Sequence, residues 1–283
     1  MTSPASPLAV RPVTSPPQSI PASLERFVRT DRSTLRDRSG SRGPVWMPPI
    51  AVAQPTDVSQ VAAVVDWCRA EGLPVTPRGA GTGMPGGNVG SGVVLDLSAL
   101  NSIEIRSDGR VRAGAGAVAA EVDARLRSVG WHLPALPSSA PWCSVGGMVA
   151  ADAAGARSFL YGPTHRWTRA LAVVRADGSN EAHRSHAAPV DRKPWGPLRD
   201  HLGTAGLPPA PALRKNSSGY AVHRFVATGD PVQLLAGSEG TLAVLTDVEF
   251  QAEPLPRARA VVLVGVPILD ALPAVVERAR RGG

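Results

Sequence analysis

The stretch Val75–Leu97 reads V-T-P-R-G-A-G-T-G-M-P-G-G-N-V-G-S-G-V-V-L-D-L, and its interpretation decides the fold. A short apolar run ends at Pro77, and a second one runs from Val93 to Leu97. Between them Gly79, Gly81, Gly83, Gly86, Gly87, Gly90 and Gly92 fall within fourteen residues. Glycine lets a main chain approach a ligand closely. Successive N–H groups turned inward form an anion-binding concavity. The stretch therefore reads as a phosphate-cradling loop between two strands. A phosphate loop of the G-x-x-x-x-G-K-[ST] kind is excluded because the stretch has no lysine. A G-x-G-x-x-G dinucleotide turn is excluded because Pro85 and Gly86-Gly87 interrupt any following helix. On the loop alone, a long glycine-rich hairpin with no ligand remains an alternative.

The residues before the loop place it in a βαβ unit. Ile50–Ala53 reads as a strand, and Pro55-Thr56-Asp57 as a helix start, with Gln60 three residues after Asp57 as in a capping box. Val58, Val61, Val65 and Cys68 then recur on one face of a helix over Asp57–Ala70. Gly72 ends it, and Leu73–Pro77 is the next strand. The loop thus leaves the carboxyl end of a strand, where ligands bind in α/β sheets.

Composition limits the function classes. The chain has 283 residues, of which 43% are hydrophobic, enough for a sizeable core in one or two domains. No apolar run reaches the roughly eighteen residues that span a membrane. The first residues lack the pattern of a secretory signal, so a cytoplasmic location is expected. Two cysteines, Cys68 and Cys143, are too few for a disulfide framework or a metal-ligand set, and Cys68 reads as a core residue. His183 and His186 have no carboxylate or cysteine cluster beside them, so no metal site is expected. The net charge is +7, carried almost entirely by arginine, since Lys193 and Lys215 are the only lysines. The arginines are scattered and not interleaved with aromatics, which argues against nucleic acid and suits a basic pocket for phosphates and carboxylates.

Along the rest of the chain, residues 1–22 read as a disordered tail rich in Pro, Ser and Thr. Ser23–Asp31 reads as a short helix and Arg32–Pro49 as irregular. Strands Ile103–Ile105 and Arg110–Ala113 flank the Asp108-Gly109 turn. A helix covers Ala117–Val129, and Trp131–Leu136 is extended. Ser144 caps a short helix that begins near Gly146 and ends at Gly155, its first-turn N–H groups left open by Gly146 and Gly147. Tight helix packing through small residues is the other reading of that segment. Leu171–Arg175 and Glu181–Arg184 form a hairpin, Ala187–Pro211 a loop, and Pro231–Leu235 a short helix. Val244–Phe250 is a strand, Arg259–Val266 another, and Leu269–Arg280 a last helix.

Three glycine segments in this order resemble one family. Pro77-Arg78-Gly79-Ala80-Gly81-Thr82-Gly83 with Gly86-Gly87 is similar to the first diphosphate loop of FAD-binding oxidases and dehydrogenases of the vanillyl-alcohol oxidase and p-cresol methylhydroxylase type. Pro137-Ser138-Ser139, Val145-Gly146-Gly147-Met148 and Tyr161-Gly162-Pro163-Thr164 resemble its second flavin segment. Gly237-Ser238-Glu239-Gly240-Thr241-Leu242 with Val244-Leu245-Thr246 resembles the third, preceded by Lys215-Asn216-Ser217-Ser218-Gly219-Tyr220. The branch most similar is that of the glycolate oxidase FAD subunit and the D-lactate or D-2-hydroxyacid dehydrogenases.

The resemblance implies an α+β, two-subdomain FAD-binding domain of the p-cresol methylhydroxylase type over residues 23–256, with subdomains at about 46–100 and 101–256. Residues 257–283 would supply the first strand and helix of a truncated cap domain. It implies noncovalent FAD, since Thr82 stands where some relatives carry a histidine that attaches the flavin. The cofactor residues carried over are Pro77 through Gly83, Gly86, Gly87, Asp96, Pro137, Ser138, Ser144, Val145, Gly146, Gly147, Met148, Asp152, Gly155, Tyr161, Gly162, Glu239, Gly240, Val244 and Thr246. Relatives often have asparagine at Asp152 and glycine at Ala243. The implied reaction is oxidation of a small D-2-hydroxy acid by hydride transfer to the flavin, with a second subunit supplying the cap or an electron acceptor. The alternatives are a noncatalytic FAD-binding electron-transfer or assembly subunit, and a basic module without flavin. No catalytic base is assigned. His165 is the nearest candidate by motif and reads more simply as structural.

Overall fold

The architecture follows from where each apolar run finds a partner. The structure, a computed structural model, describes residues 17, 19–185, 187–209, 213 and 216–281. In the first lobe β1 (Val28–Arg29), β2 (Ala51–Ala53), β3 (Val75–Arg78) and β4 (Val93–Asp96) make one sheet in the order β1-β2-β4-β3. Strand β4 lies between β2 and β3 and is parallel to both, with Val93 opposite Ala51 and Val75. Its four residues V-V-L-D are all buried, the continuous pattern of a strand covered on both faces. The helix α2 (Val58–Ala70) is capped by Asp57, which accepts from Gln60 N–H, and it buries Val61, Val64, Val65, Trp67 and Cys68. The Gln60 side chain reaches back to Thr56 N–H at 3.0 Å.

The second lobe is an antiparallel sheet of β5 (Ile103–Ile105), β6 (Arg110–Gly114), β8 (Thr168–Val174), β9 (Asn180–Arg184) and β10 (Val244–Gln251), ordered β5-β6-β10-β8-β9. Helices α3 (Ala119–Arg127), α4 (Val145–Ala150), α7 (Val222–Thr228) and α8 (Pro231–Leu235) contribute buried residues to its core. The short β7 (Trp131–His132) pairs with β11 (Glu253–Pro254). Val174 and Val244, at the ends of β8 and β10, belong to the first lobe's apolar cluster. The two lobes therefore share an apolar seam.

Several local expectations are corrected. Residues 23–31 form a turn and β1, while the helix lies further on as α1 (Arg32–Asp37), where Asp31 accepts from Thr34 N–H at 3.0 Å. Leu24, Phe27 and Val28 are drawn into the first core rather than along a helix face. Helix α4 stops at Ala150 rather than Gly155, because Asp152 takes a left-handed backbone, φ 43°. The expected loop over 187–211 contains α6 (Trp195–Thr204). Its prolines, Pro194 and Pro197, stand at the N-cap and in the first turn, where proline's missing N–H has no intrahelical partner to lose. Helix α5 (Ser158–Tyr161) and α7 have no side-chain cap at their starts, although Gly162 and Gly229 stand at their ends.

The strand expected over Arg259–Val266 does not form. Val261 and Leu263 are 99% and 98% exposed. V-V-L-V has the sequence of a strand buried on both faces, and a strand needs a neighbour to complete its ladder. Among the described residues this segment has none. Helix α9 (Leu272–Arg281) does follow it, with no buried residue. Most of the tail expected at 1–22, together with His186, Arg214 and Lys215, lies outside the described residues.

Candidate functional site

The loop that leaves β3 is the centre of the site. None of the N–H groups of Gly79, Ala80, Gly81, Thr82 and Gly83 has a hydrogen-bond acceptor among the described residues. Gly81 is buried, Gly79 and Thr82 are half-buried, and Ala80 and Gly83 are exposed, so these donors are free to take water or a ligand's oxygen. These residues line a cavity of about 230 Å³ between the lobes. Across it stands the start of α4. Ser144 caps that helix, its Oγ accepting from Gly147 N–H at 3.3 Å. The approach is close enough that a Cβ on Gly79 would run into Ser144 Oγ, and one on Gly146 would lie 2.6 Å from Ala115 Cβ.

The third wall is the turn Gly237–Leu242. Gly237 N–H donates to Val149 O at 2.9 Å and Glu239 N–H to Ala150 O at 2.8 Å, so this turn is stitched to the end of α4. Glu239 itself is left-handed, φ 52°. Tyr220 Oη and Thr241 Oγ1, 2.7 Å apart, brace the turn from outside. The three glycine segments, at residues 77–87, 137–164 and 237–242 of the chain, thus meet around one cavity.

The amides at the α4 start are not open as expected. Val145 N–H donates to Ala117 O and Gly146 N–H to Ala115 O, both at 2.9 Å, while Met148 N–H bonds Ser144 O. The bulge of chain before α3 supplies these carbonyls, and sequence patterning gives no sign of it. At the start of α4 the donors are already taken, whereas those of the 79–83 loop are free.

Of the residues carried over, Pro77 through Gly83, Gly87, Pro137, Ser144, Gly146, Gly147, Met148, Glu239 and Gly240 line the cavity. Gly86, Asp96, Ser138, Val145, Asp152, Gly155, Tyr161, Gly162, Val244 and Thr246 do not, and stand behind the lining. Asp96 is buried, accepting from Arg38 at 2.8 Å and from Ser98 N–H at 3.0 Å. Tyr161 sits edge-to-face between His132 and Trp167. Thr246 donates its hydroxyl to Ala172 O. Val145 is fully buried and Gly155 packs against the Leu136 carbonyl. Ser139 and Leu245, within the resembling segments, also line it, and residues not anticipated there include Pro85, Asn88, Leu97, Ala115, Cys143, Ala150, Ala151 and Ala153. Asn88, a polar residue inside the glycine stretch, was the one visible signal. The others come into the lining through tertiary packing.

Asp152 and His165 form a buried pair. The carboxylate accepts from His165 N–H at 2.9 Å and from its ring Nδ1–H at 2.8 Å, with Arg224 3.6 Å away. Burial pushes the Asp152 carboxyl up, but the His165 and Arg224 contacts outweigh it and hold it below the usual carboxylate range. His165 is not among the lining residues. His183 is likewise turned inward, bonding Glu181 at 2.8 Å, and burial pulls its pKa down. Burial pushes the Cys68 thiol up to about 12, consistent with an inert core residue.

The residues present suit a dinucleotide cofactor. Besides the loop amides, Asn88 Oδ1 and Ser238 Oγ are buried without a partner, one in the cavity lining and one beneath the third wall. Residues 49–181 match the family model of the FAD binding domain. The chain resembles that family over these residues. Its fold is the two-subdomain, α+β fold of the p-cresol methylhydroxylase type. Among curated proteins the chain is 31% identical over 234 residues to a D-lactate dehydrogenase of Archaeoglobus fulgidus, covering 81% of this chain and 45% of that one. It is 32% identical over 232 residues to a D-2-hydroxyglutarate dehydrogenase of Xanthomonas citri pv. viticola, covering 80% and 42%. With the glycolate oxidase subunit GlcD of Bacillus subtilis the identity is 26% over 227 residues, 79% of this chain and 41% of the relative. The chain spans less than half the length of these relatives.

Solved structures agree on the fold of the FAD binding domain. An alkyldihydroxyacetonephosphate synthase superposes with TM-score 0.63 at 16% identity, over 87% of this chain and 43% of that one. The 6-hydroxy-D-nicotine oxidase of Arthrobacter nicotinovorans gives 0.60 at 21%, over 81% and 42%. Among the described residues no helix is long and apolar enough to cross a membrane, and no group of three or more His, Cys, Asp or Glu is placed to hold a metal.

Proposed function

We propose that this chain binds FAD noncovalently and supplies the flavin-holding portion of an enzyme that oxidises a small D-2-hydroxy acid of the lactate or glycolate type. The observation that carries the reading is the run of unpaired N–H groups on Gly79–Gly83, facing a cavity walled by all three glycine segments. These amides would take the diphosphate. Pro137, Met148, Ala150 and Leu245 give the cavity apolar surface against which a planar ring can lie. Thr82 offers no nucleophilic nitrogen, in keeping with noncovalent binding. When bound, FAD supplies the hydride acceptor for the substrate's α-carbon. The chain's own part is to hold and orient it and to keep water from the buried side.

The base that takes the hydroxyl proton stays unassigned, since His165 is held by Asp152 and lies outside the cavity lining. A second reading, an FAD-binding electron-transfer or assembly subunit, is favoured by one observation. The exposed Val261–Val264 run and the uncovered α9 suit association with a further polypeptide, which would supply a cap or an electron acceptor. A cytoplasmic setting fits the two buried, unpaired cysteines.

The experiment is to incubate the purified, folded chain with FAD, remove the excess, and record the visible flavin spectrum. Retained flavin with its oxidised band supports the site, and a colourless product after reconstitution refutes it. Anaerobic addition of D-lactate, glycolate and D-2-hydroxyglutarate then separates the two readings. Bleaching by one of them indicates the dehydrogenase; bleaching only by dithionite indicates the electron-transfer or assembly subunit.

A further inference from the structure

Arg78 begins the glycine loop, and the sequence places it among the residues around the cofactor. Its hydrogen bonds run the other way. The residue is 7% exposed. One terminal nitrogen donates to Asn88 O at 2.9 Å and Arg38 O at 3.5 Å; the other donates to Gly40 O at 3.1 Å. Asn88 lies at the far limb of the very loop that Arg78 opens. Gly81, left-handed at φ 72°, folds so tightly over the guanidinium that a Cβ there would collide with it. The loop is therefore wrapped around this side chain.

The other two carbonyls belong to residues 38–46, which cross the outside of the loop as a strap. The strap folds on itself through the Gly40–Trp46 bridge and the Ser41 N–H to Val45 O bond. It docks onto the loop at three places. Arg42 N–H donates to Gly83 O at 3.2 Å, Gly43 lies against the Met84 carbonyl, and Val45 packs against Gly86. The one carboxylate near Arg78, Asp96, is bonded by Arg38 instead.

We infer that Arg78 is a positioning residue: it ties both limbs of the loop and the strap together, so that the Gly79–Gly83 amides stand ready for a diphosphate that Arg78 itself does not bind. The inference rests on the FAD reading for its ligand, but not for its mechanics. A glycine-rich loop loses more backbone freedom on ordering than any other sequence. Fixing it in the empty protein moves that loss from the binding step into folding, which raises affinity. A guanidinium suits the task, because its planar fork of N–H groups reaches several carbonyls at once, which a lysine ammonium cannot match in direction.

The test uses Arg78→Lys and Arg78→Met in the full chain. In flavin-free protein, hydrogen exchange at the Arg42 and Val89 amides is read, because these bond Gly83 O and Gly86 O and report on the strap and the loop. FAD affinity is measured by fluorescence titration at low and high salt. Positioning predicts exchange at both amides faster by about tenfold or more, as for a locally loosened segment. It also predicts that both variants lose FAD affinity alike, with the salt dependence of the wild type kept. Direct binding of the diphosphate would spare the lysine variant and flatten the salt dependence of the methionine variant, and that result overturns the inference. Unchanged exchange overturns it whatever the affinity. Should Arg78→Met not fold, Arg78→Lys decides alone. If the wild type takes no FAD, the functional reading fails while the exchange result still decides the role of Arg78.

Discussion

The contact between Gly79 and Ser144 offers a quantitative test of how the two lobes meet. Gly79 does not have a positive φ. Alanine is therefore permitted by its backbone, and by restricting the unfolded chain it would add about 0.4–1 kcal/mol of stability if nothing else changed. Its Cβ, however, would occupy the place of Ser144 Oγ and come within 3.2 Å of Ser144 Cβ. The hydroxyl must swing away, and its cap on Gly147 N–H is lost, at a cost of about 0.5–2 kcal/mol. Residual crowding in a packed seam adds about 1–3 kcal/mol. Net destabilisation of about 1–3 kcal/mol follows for Gly79→Ala, a fall in melting temperature of about 2–4 °C per kcal/mol for a chain of this size. Ser144→Ala alone loses only the cap. In that background most of the collision is gone, and Gly79→Ala costs little. Urea denaturation of the four flavin-free proteins completes the double-mutant cycle, with a coupling of about 1–3 kcal/mol expected. Effects that add to within about 0.5 kcal/mol would show that the loop does not press on the helix cap, and would refute the geometry of the cleft.

Two further outcomes follow from strained or buried groups. Glu239→Gly relieves a left-handed backbone at a non-glycine residue, φ 52°; a relief of about 1–2 kcal/mol less about 0.4–1 kcal/mol for glycine's unfolded freedom should raise the melting temperature by about 2 °C, and a lower value contradicts it. Asp152, held below its ordinary pKa in the folded state, contributes stability that is whole above the unfolded carboxylate value of about 3.9 and lost as pH falls through the folded value. Asp152→Asn should therefore be less stable than wild type at neutral pH, with the gap narrowing below about pH 4 in denaturant titrations, and a gap independent of pH removes the argument.

That Val75–Leu97 is a glycine loop at the carboxyl end of a strand in a βαβ unit is legible from the residues alone. Hydrophobic period, the Asp57 cap and the Gly72 stop are local signals, and local chemistry is enough to form them. Three glycine segments in order also made the flavin family legible, because each must accept a close backbone approach wherever the rest of the chain lies. The sequence could not show which amides are free. Those at the start of α4 are consumed by carbonyls of residues 115 and 117, while those of Gly79–Gly83 are left open, and only the tertiary path of the chain before α3 decides between them. Nor could it show that the Arg78 guanidinium is spent on carbonyls of its own loop and of the strap, since a charged residue beside a phosphate-type loop has the same local pattern in either role. Val261–Val264 makes the same point in reverse. Its composition is that of an interior strand, but a strand is defined by its neighbour, and the described chain brings none beside it. Propensity is a property of the residue, whereas hydrogen-bond supply is a property of what the fold places within reach.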